Sequence, residues 1–194
     1  MSTHFPSPAD ATFDRPVSIL LSCHDKVRHF AGLMLKLEAH LAGQRQRQQP
    51  GGPATASPDA RHAAGLVRRY FEVAAPLHHQ DEEDDVFPAL LALEDTALSA
   101  RIHALTAAHR EFERLWPPIS AWLGRVAQGS VEAAPAGMPL YAQAHPAHAD
   151  QEDAEVYPAM DRLDAATLAR IGERMRRRRH GPGDTLPASS TAQE

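Results

Sequence analysis

The sequence predicts an all-α protein: an up-down-up-down four-helix bundle with a short C-terminal helix and disordered tails. Three observations carry that expectation. Apolar residues recur at three- and four-residue steps along four long stretches, the period of a helix with one buried face. No stretch alternates apolar and polar residues convincingly as a strand would. A segment also occurs twice, as PLHHQDEEDDVFPAL from Pro76 to Leu90 and as PAHADQEDAEVYPAM from Pro146 to Met160, seventy residues apart.

The first helix begins at Pro16, with Asp14 placed to cap it, and carries Val17, Leu20, Leu21, Val27, Met34 and Leu35 on its apolar side. Gly43 is its expected end. The following Gln-, Gly- and Pro-rich stretch reads as an exposed loop, and Ser57-Pro58 as the cap and first-turn proline of a second helix running to about Phe87. Pro76 should kink that helix, because it removes a backbone donor. Thr96 to Val126 gives the clearest period: Leu98, Ile102, Leu105, His109, Phe112, Trp116, Ile119 and Leu123 form one seam, bent or broken at Pro117 and Pro118. A fourth helix spans about Leu140 to Tyr157, and a fifth Ala165 to Arg179. The expected domains are an extension over 1–13, a bundle over 14–160 built from duplicated pairs at 16–88 and 96–158, a basic helix within 161–180 and a disordered tail over 181–194. The duplication implies an approximate two-fold axis.

At 194 residues, with a net charge of −5, the chain is long enough to bury a core without staples and carries no overall nucleic-acid footprint. The lone Cys23 excludes an intramolecular disulfide and Cys-rich metal sites, which fits a reducing cytoplasm. The first residues lack a secretory pattern, and no apolar run approaches membrane-spanning length. No nucleic-acid and no membrane partner is therefore expected. Twelve histidines are the compositional anomaly.

Each copy of the repeat contains His-x-x-x-Glu: His78 with Glu82, and His148 with Glu152. A four-residue step puts both side chains on one helix face, roughly 5–6 Å apart at Cβ, within reach of one metal ion. The first helix of each pair supplies a histidine on its apolar seam, His24 and His109. A buried imidazole must be hydrogen-bonded, charged beside a carboxylate or ligated to a metal. Four imidazoles and two carboxylates suit iron or manganese, with zinc also compatible. His79 and Glu83 repeat the four-residue step, but the second copy has Ala149 and Asp153 there, so the duplication selects His78 and Glu82.

In this order, and with an aromatic-Pro pair after each copy, the motifs resemble the hemerythrin-like, or HHE, di-iron family over residues 16 to 160. The resemblance implies two iron ions held by His24, His78, Glu82, His109, His148 and Glu152. Oxygen-carrying hemerythrins have a histidine one turn after the third-helix ligand, where this chain has Glu113. The set is closer to bacterial HHE proteins and partly resembles the repair-of-iron-centres proteins linked to oxidative and nitrosative stress, which carry a separate N-terminal domain. The implied partner is a small diatomic or peroxide ligand, O2, NO or peroxide, or handled iron. A metal-dependent sensor or interaction module, and a zinc-bound structural bundle, are the alternatives.

The remaining features have plainer expected roles. His145 reads as a neighbour of the site or a surface residue, and Glu113 as a solvated group, a hydrogen-bond partner of a ligand or a further ligand. Asp81, Glu83, Asp84 and Asp85 read as a solvated face, with Asp85 near the His78 side. Phe87-Pro88 and Tyr157-Pro158 read as supports of the fold and not of the chemistry. His4, His29, His40, His62, His103 and His180 read as exposed, Cys23 as a packing residue, and Arg176 to Arg179 as a run favouring its helix C-terminus.

Overall fold

The computed structural model describes residues 12–47 and 55–180, all of it helix, turn or loop. The expected tail over 181–194, most of the N-terminal extension and part of the first loop lie outside these residues. Helix α1 spans Pro16–Arg47. The second rod of the bundle is composite. It comprises α2 (Pro58–Arg69), a π-helical turn (Tyr70–Ala74), α3 (Ala75–Asp81), a second π-helical turn (Glu82–Val86) and α4 (Phe87–Leu91). Helix α5 spans Thr96–Ala127 and α6 Met138–Glu155. A 3₁₀ segment (Tyr157–Arg162) then leads to α7 (Ala165–His180).

Cross-helix contacts show that every neighbouring pair is antiparallel. Arg28 of α1 reaches Asp150 of α6, and His24 reaches Asp153. Glu72 meets Ser120 of α5, while Phe87, fifteen residues on, stacks near His109, eleven residues back. The up-down-up-down bundle expected from the sequence is therefore present. Ser57 caps α2 by accepting a hydrogen bond from the Ala60 amide, with Pro58 in the first turn, as the sequence predicts.

Two expected interruptions do not occur. Helix α1 runs past Gly43 to Arg47, where Arg45 reaches the carbonyls of Val131 and Glu132. Helix α5 continues through Pro117 and Pro118. Both prolines are exposed, as are Glu113 and Arg114, whose carbonyls lose their usual donors to the prolines. Each proline costs about 3 kcal/mol in a helix interior. Beyond them, burial of Ile119, Trp122, Leu123 and Val126 returns roughly 1.5–3 kcal/mol apiece and outweighs that cost. Trp116, placed on the seam by sequence, is only half-buried; Leu115 takes the buried position beside it. The second rod continues through Pro76, where a kink is expected, and its helix is irregular there. A π-helical turn precedes it, and another precedes Pro88, each ending two residues before the proline. The widened turn gives the ring room against the preceding carbonyls.

The acidic run is also not a solvated face. Asp81 and Asp85 are buried under α7, where Arg178 pairs with both, Arg179 with Asp81 and Arg174 with Asp85. The arginine run therefore does more than complement its own helix terminus. Ile171 and Met175 bury the apolar side of α7, and Gly172 lets the Phe13 carbonyl approach to where a Cβ would sit only 1.9 Å away. Among the described residues no helix is long and apolar enough to cross a membrane.

The core is two apolar clusters with a polar layer between them. One cluster contains Val27, Phe71, Phe112 and Ala142; the other contains Leu20, Val86, Leu105 and Val156. On each of the four rods the expected site residues fall between a member of one cluster and a member of the other.

Candidate metal centre

All six residues selected from the sequence meet in that layer, and all are buried; Glu82 and Glu152 are 0% exposed. The imidazoles pair within each duplicated half. His24 Nε2 lies 2.9 Å from His78 Nε2, and His109 Nε2 lies 2.8 Å from His148 Nε2. His78 and Glu82 are joined by an α-helical turn, with the Glu82 amide donating to the His78 carbonyl, and the π-helical turn begins only at Glu82. Glu152 sits between the two imidazole pairs. Its Oε2 is 3.1 Å from His24 Nε2, and its Oε1 is 2.9 Å from His148 Nε2 and 3.8 Å from His109 Nε2. Glu82 lies 3.7 Å from His78 Nε2 and 3.6 Å from His109 Nε2.

Donor atoms of His24, His78, Glu82 and Glu152 converge within 4.8 Å of one another, as do those of His109, His148 and Glu152. Glu152 belongs to both groups. Neither of its carboxylate oxygens makes a hydrogen bond, and Glu82 Oε2 makes none. Buried carboxylate oxygens without donors are costly. Here they face imidazole nitrogens whose lone pairs point into the same space, and two cations would satisfy both sets. The residues present therefore fit a pair of nitrogen- and oxygen-loving metal ions, which would be held by His24, His78 and Glu82 in one group and His109 and His148 in the other, with Glu152 common to both.

The outer faces of two imidazoles are fixed by carboxylates that sequence reasoning passed over. Asp153 Oδ1 is 2.6 Å from His24 Nδ1, and Glu83 Oε1 is 2.8 Å from His109 Nδ1. With Nδ1–H donating outward, Nε2 presents its lone pair inward, the arrangement that orients histidine ligands at metal sites. Each carboxylate directly follows a ligand glutamate and serves the opposite half: Glu83 after Glu82 supports His109, and Asp153 after Glu152 supports His24. This reciprocity gives the site its approximate two-fold character. Both carboxylates are anchored in turn, Asp153 by Arg28 at 2.5 Å and Glu83 by Arg110. The signal was in the repeat, where an acidic residue follows the glutamate in both copies.

Tyr157 corrects a second expectation. Its ring stacks on His24 at 5.2 Å and 10°, and its hydroxyl donates to Glu82 Oε1 at 2.5 Å and lies 3.2 Å from His24 Nε2. The aromatic of the aromatic-Pro pair therefore touches the chemistry. Phe87, its repeat partner, stacks on His109 at 6.1 Å and 11° without a hydroxyl.

Other residues fall outside the ligand groups. Glu113 is 59% exposed and pairs with Arg110. His145 is buried, donates from Nδ1–H to the Tyr141 carbonyl, and stacks on Phe112 at 3.7 Å. His79 stacks on His109 at 3.9 Å. His29, His40, His62 and His103 are exposed, as expected; His4 and the side chain of His180 lie outside the described residues. Cys23 is partly buried, and burial pushes its thiol pKa up, which fits packing and not thiolate chemistry.

Electrostatics separate the two carboxylates. Burial, reinforced by the nearby Glu152 charge, pushes Glu82 well above the usual carboxylate range. Burial also pushes Glu152 upward, but His109, His148 and His24 outweigh it and hold its pKa low. His78 is pushed well down by burial and by the neighbouring His24. His24 also feels burial, which its Asp153 and Glu152 partners override to leave its pKa raised.

A Haemophilus influenzae protein described only as uncharacterized is 30% identical over 113 residues, covering 58% of this chain and 59% of that protein. The chain thus spans less than two thirds of this curated relative. The model of the Hemerythrin HHE cation binding domain matches residues 15–160, the stretch that contains all four rods and every residue of the centre. The chain belongs to the hemerythrin HHE cation-binding domain family.

Proposed function

We propose that the chain holds two iron ions and presents them to O2, NO or peroxide, or passes the iron itself on, under oxidative or nitrosative conditions in the cytoplasm. The observation that supports this most is the buried meeting of four Nε2 atoms with three carboxylate oxygens that have no donors, Glu82 Oε2 and both oxygens of Glu152. Bound there, an iron pair would supply exchangeable electrons and free coordination positions.

The protein's own residues define the rest. Asp153 and Glu83 keep His24 and His109 in the tautomer that leaves Nε2 free. The two apolar clusters exclude water above and below the layer, so charges inside interact strongly. A cavity of about 60 Å³ lies beside the His109 and His148 pair, lined by Phe71, Ala75, Pro76, Phe112, Trp116 and Tyr141. His79 and Phe112 separate it from the centre by one ring's thickness, since His79 stacks on His109 and Phe112 lies 5.3 Å from His148. The lone Cys23 supports a reducing setting.

Titration of anaerobic, reduced, iron-loaded protein with NO tests the reading. A new visible absorption that saturates in proportion to iron is expected. Two irons with no spectral response would overturn the ligand-binding role and favour a sensor or structural bundle.

A further inference from the structure

Repeat-related Tyr157 and Phe87 occupy equivalent places, each ring lying nearly parallel to the first-helix imidazole of the other half. They differ by one oxygen atom. The Tyr157 hydroxyl, on a residue 3% exposed, contacts Glu82 Oε1 and His24 Nε2 and so sits against two residues of the same ligand group. No hydroxyl stands at the matching place beside His109.

From this we infer that Tyr157 is a positioning residue that makes the two metal positions inequivalent by fixing the role of Glu82. Its hydroxyl occupies Glu82 Oε1 and leaves Oε2 as that carboxylate's one oxygen without a donor. Glu82 thus meets the centre with one oxygen already hydrogen-bonded, and its donor atoms join only the His24 and His78 group. Glu152, with both oxygens undonated and one turned to each imidazole pair, is the bridge. The hydroxyl also stands on the His24 side, while the Phe87 side offers only a ring. The inference deepens the proposed function and rests on it.

The test uses full-length protein loaded with isotopically enriched iron, in Tyr157→Phe and in the exchange Tyr157→Phe with Phe87→Tyr. Iron content is measured first. Fewer than two irons in the unaltered chain overturns the underlying reading, and this inference with it. With two irons present, Mössbauer spectra of the unaltered protein should show two distinct iron environments. Tyr157→Phe should retain both irons while the environments converge, and retention of one ion against a chelator should fall by about 10-fold, as for loss of an outer-shell hydrogen bond. The exchange variant should separate the environments again. Two environments unchanged in Tyr157→Phe, or a single environment in the unaltered chain, would overturn the inference. A merely structural tyrosine would lower thermal stability without moving the spectra.

Discussion

The two halves of the duplication build the same ligands into different surroundings. In the second half, α6 stays α-helical through Pro146 and hands over to a 3₁₀ segment after Glu155. The first half carries His78 between two π-helical turns, with Glu82 opening the second, and α7 closes over its acidic run. Gln151 and Glu155 stand where Asp81 and Asp85 do, yet both are exposed. Duplication thus preserved what faces inward at His, Glu and the following carboxylate. What faces outward diverged with the neighbour each half acquired.

The comparison is broken most severely at the one carboxylate common to both donor groups. Glu152→Ala should remove both ions, whereas Glu82→Ala should leave one bound, as read by metal content after dialysis. Equal losses would mean that Glu152 is not the bridge.

Next in size is the clamp. Asp81→Ala should cost about 2 kcal/mol or more in chemical denaturation, somewhat below a fully buried pair because Arg178 and Arg179 still reach solvent. The matching Gln151→Ala should stay within about 0.5 kcal/mol.

Smaller effects sharpen the shared part. Asp153→Asn and Glu83→Gln should each weaken metal binding by about 10–100-fold, and by similar factors, if the two halves support their imidazoles equally. A loss confined to one variant would show that only one imidazole depends on its carboxylate.

The mildest test is pH. Burial pushes His145 from 6.5 down to about 3. Over that window the folded chain binds fewer protons than the unfolded one, so this residue's contribution is complete above pH 6.5 and is lost as pH falls. The loss is at most about 1.4 kcal/mol per pH unit. His145→Phe, which keeps the ring stack on Phe112, should flatten the stability curve of metal-free protein between pH 6.5 and 5. An unchanged slope would refute the assignment.

The six-residue buried set was legible because it obeys two periods at once, the helical step within each copy and the seventy-residue repeat between copies. Its supports were harder to read. Glu83 and Asp153 differ in residue type and looked like parts of a charge run; only three-dimensional pairing shows that each serves the other half. Tyr157 was hidden by its proline neighbour, which explains the chain's turn without revealing where the hydroxyl points. The uninterrupted α5 was misread because local proline cost was weighed without the four buried side chains beyond it. The buried acidic run was misread because its partners lie on α7, more than ninety residues away. Local pattern exposes what a helix presents to its own bundle, whereas long-range ion pairs require the fold.

Metal content per chain, measured on anaerobically purified protein with a visible spectrum before and after air, tests the central claim most directly. Two irons per chain and a new absorption band on oxidation are expected from a centre bridged by Glu152. Zinc alone, a single ion, or no metal would contradict it.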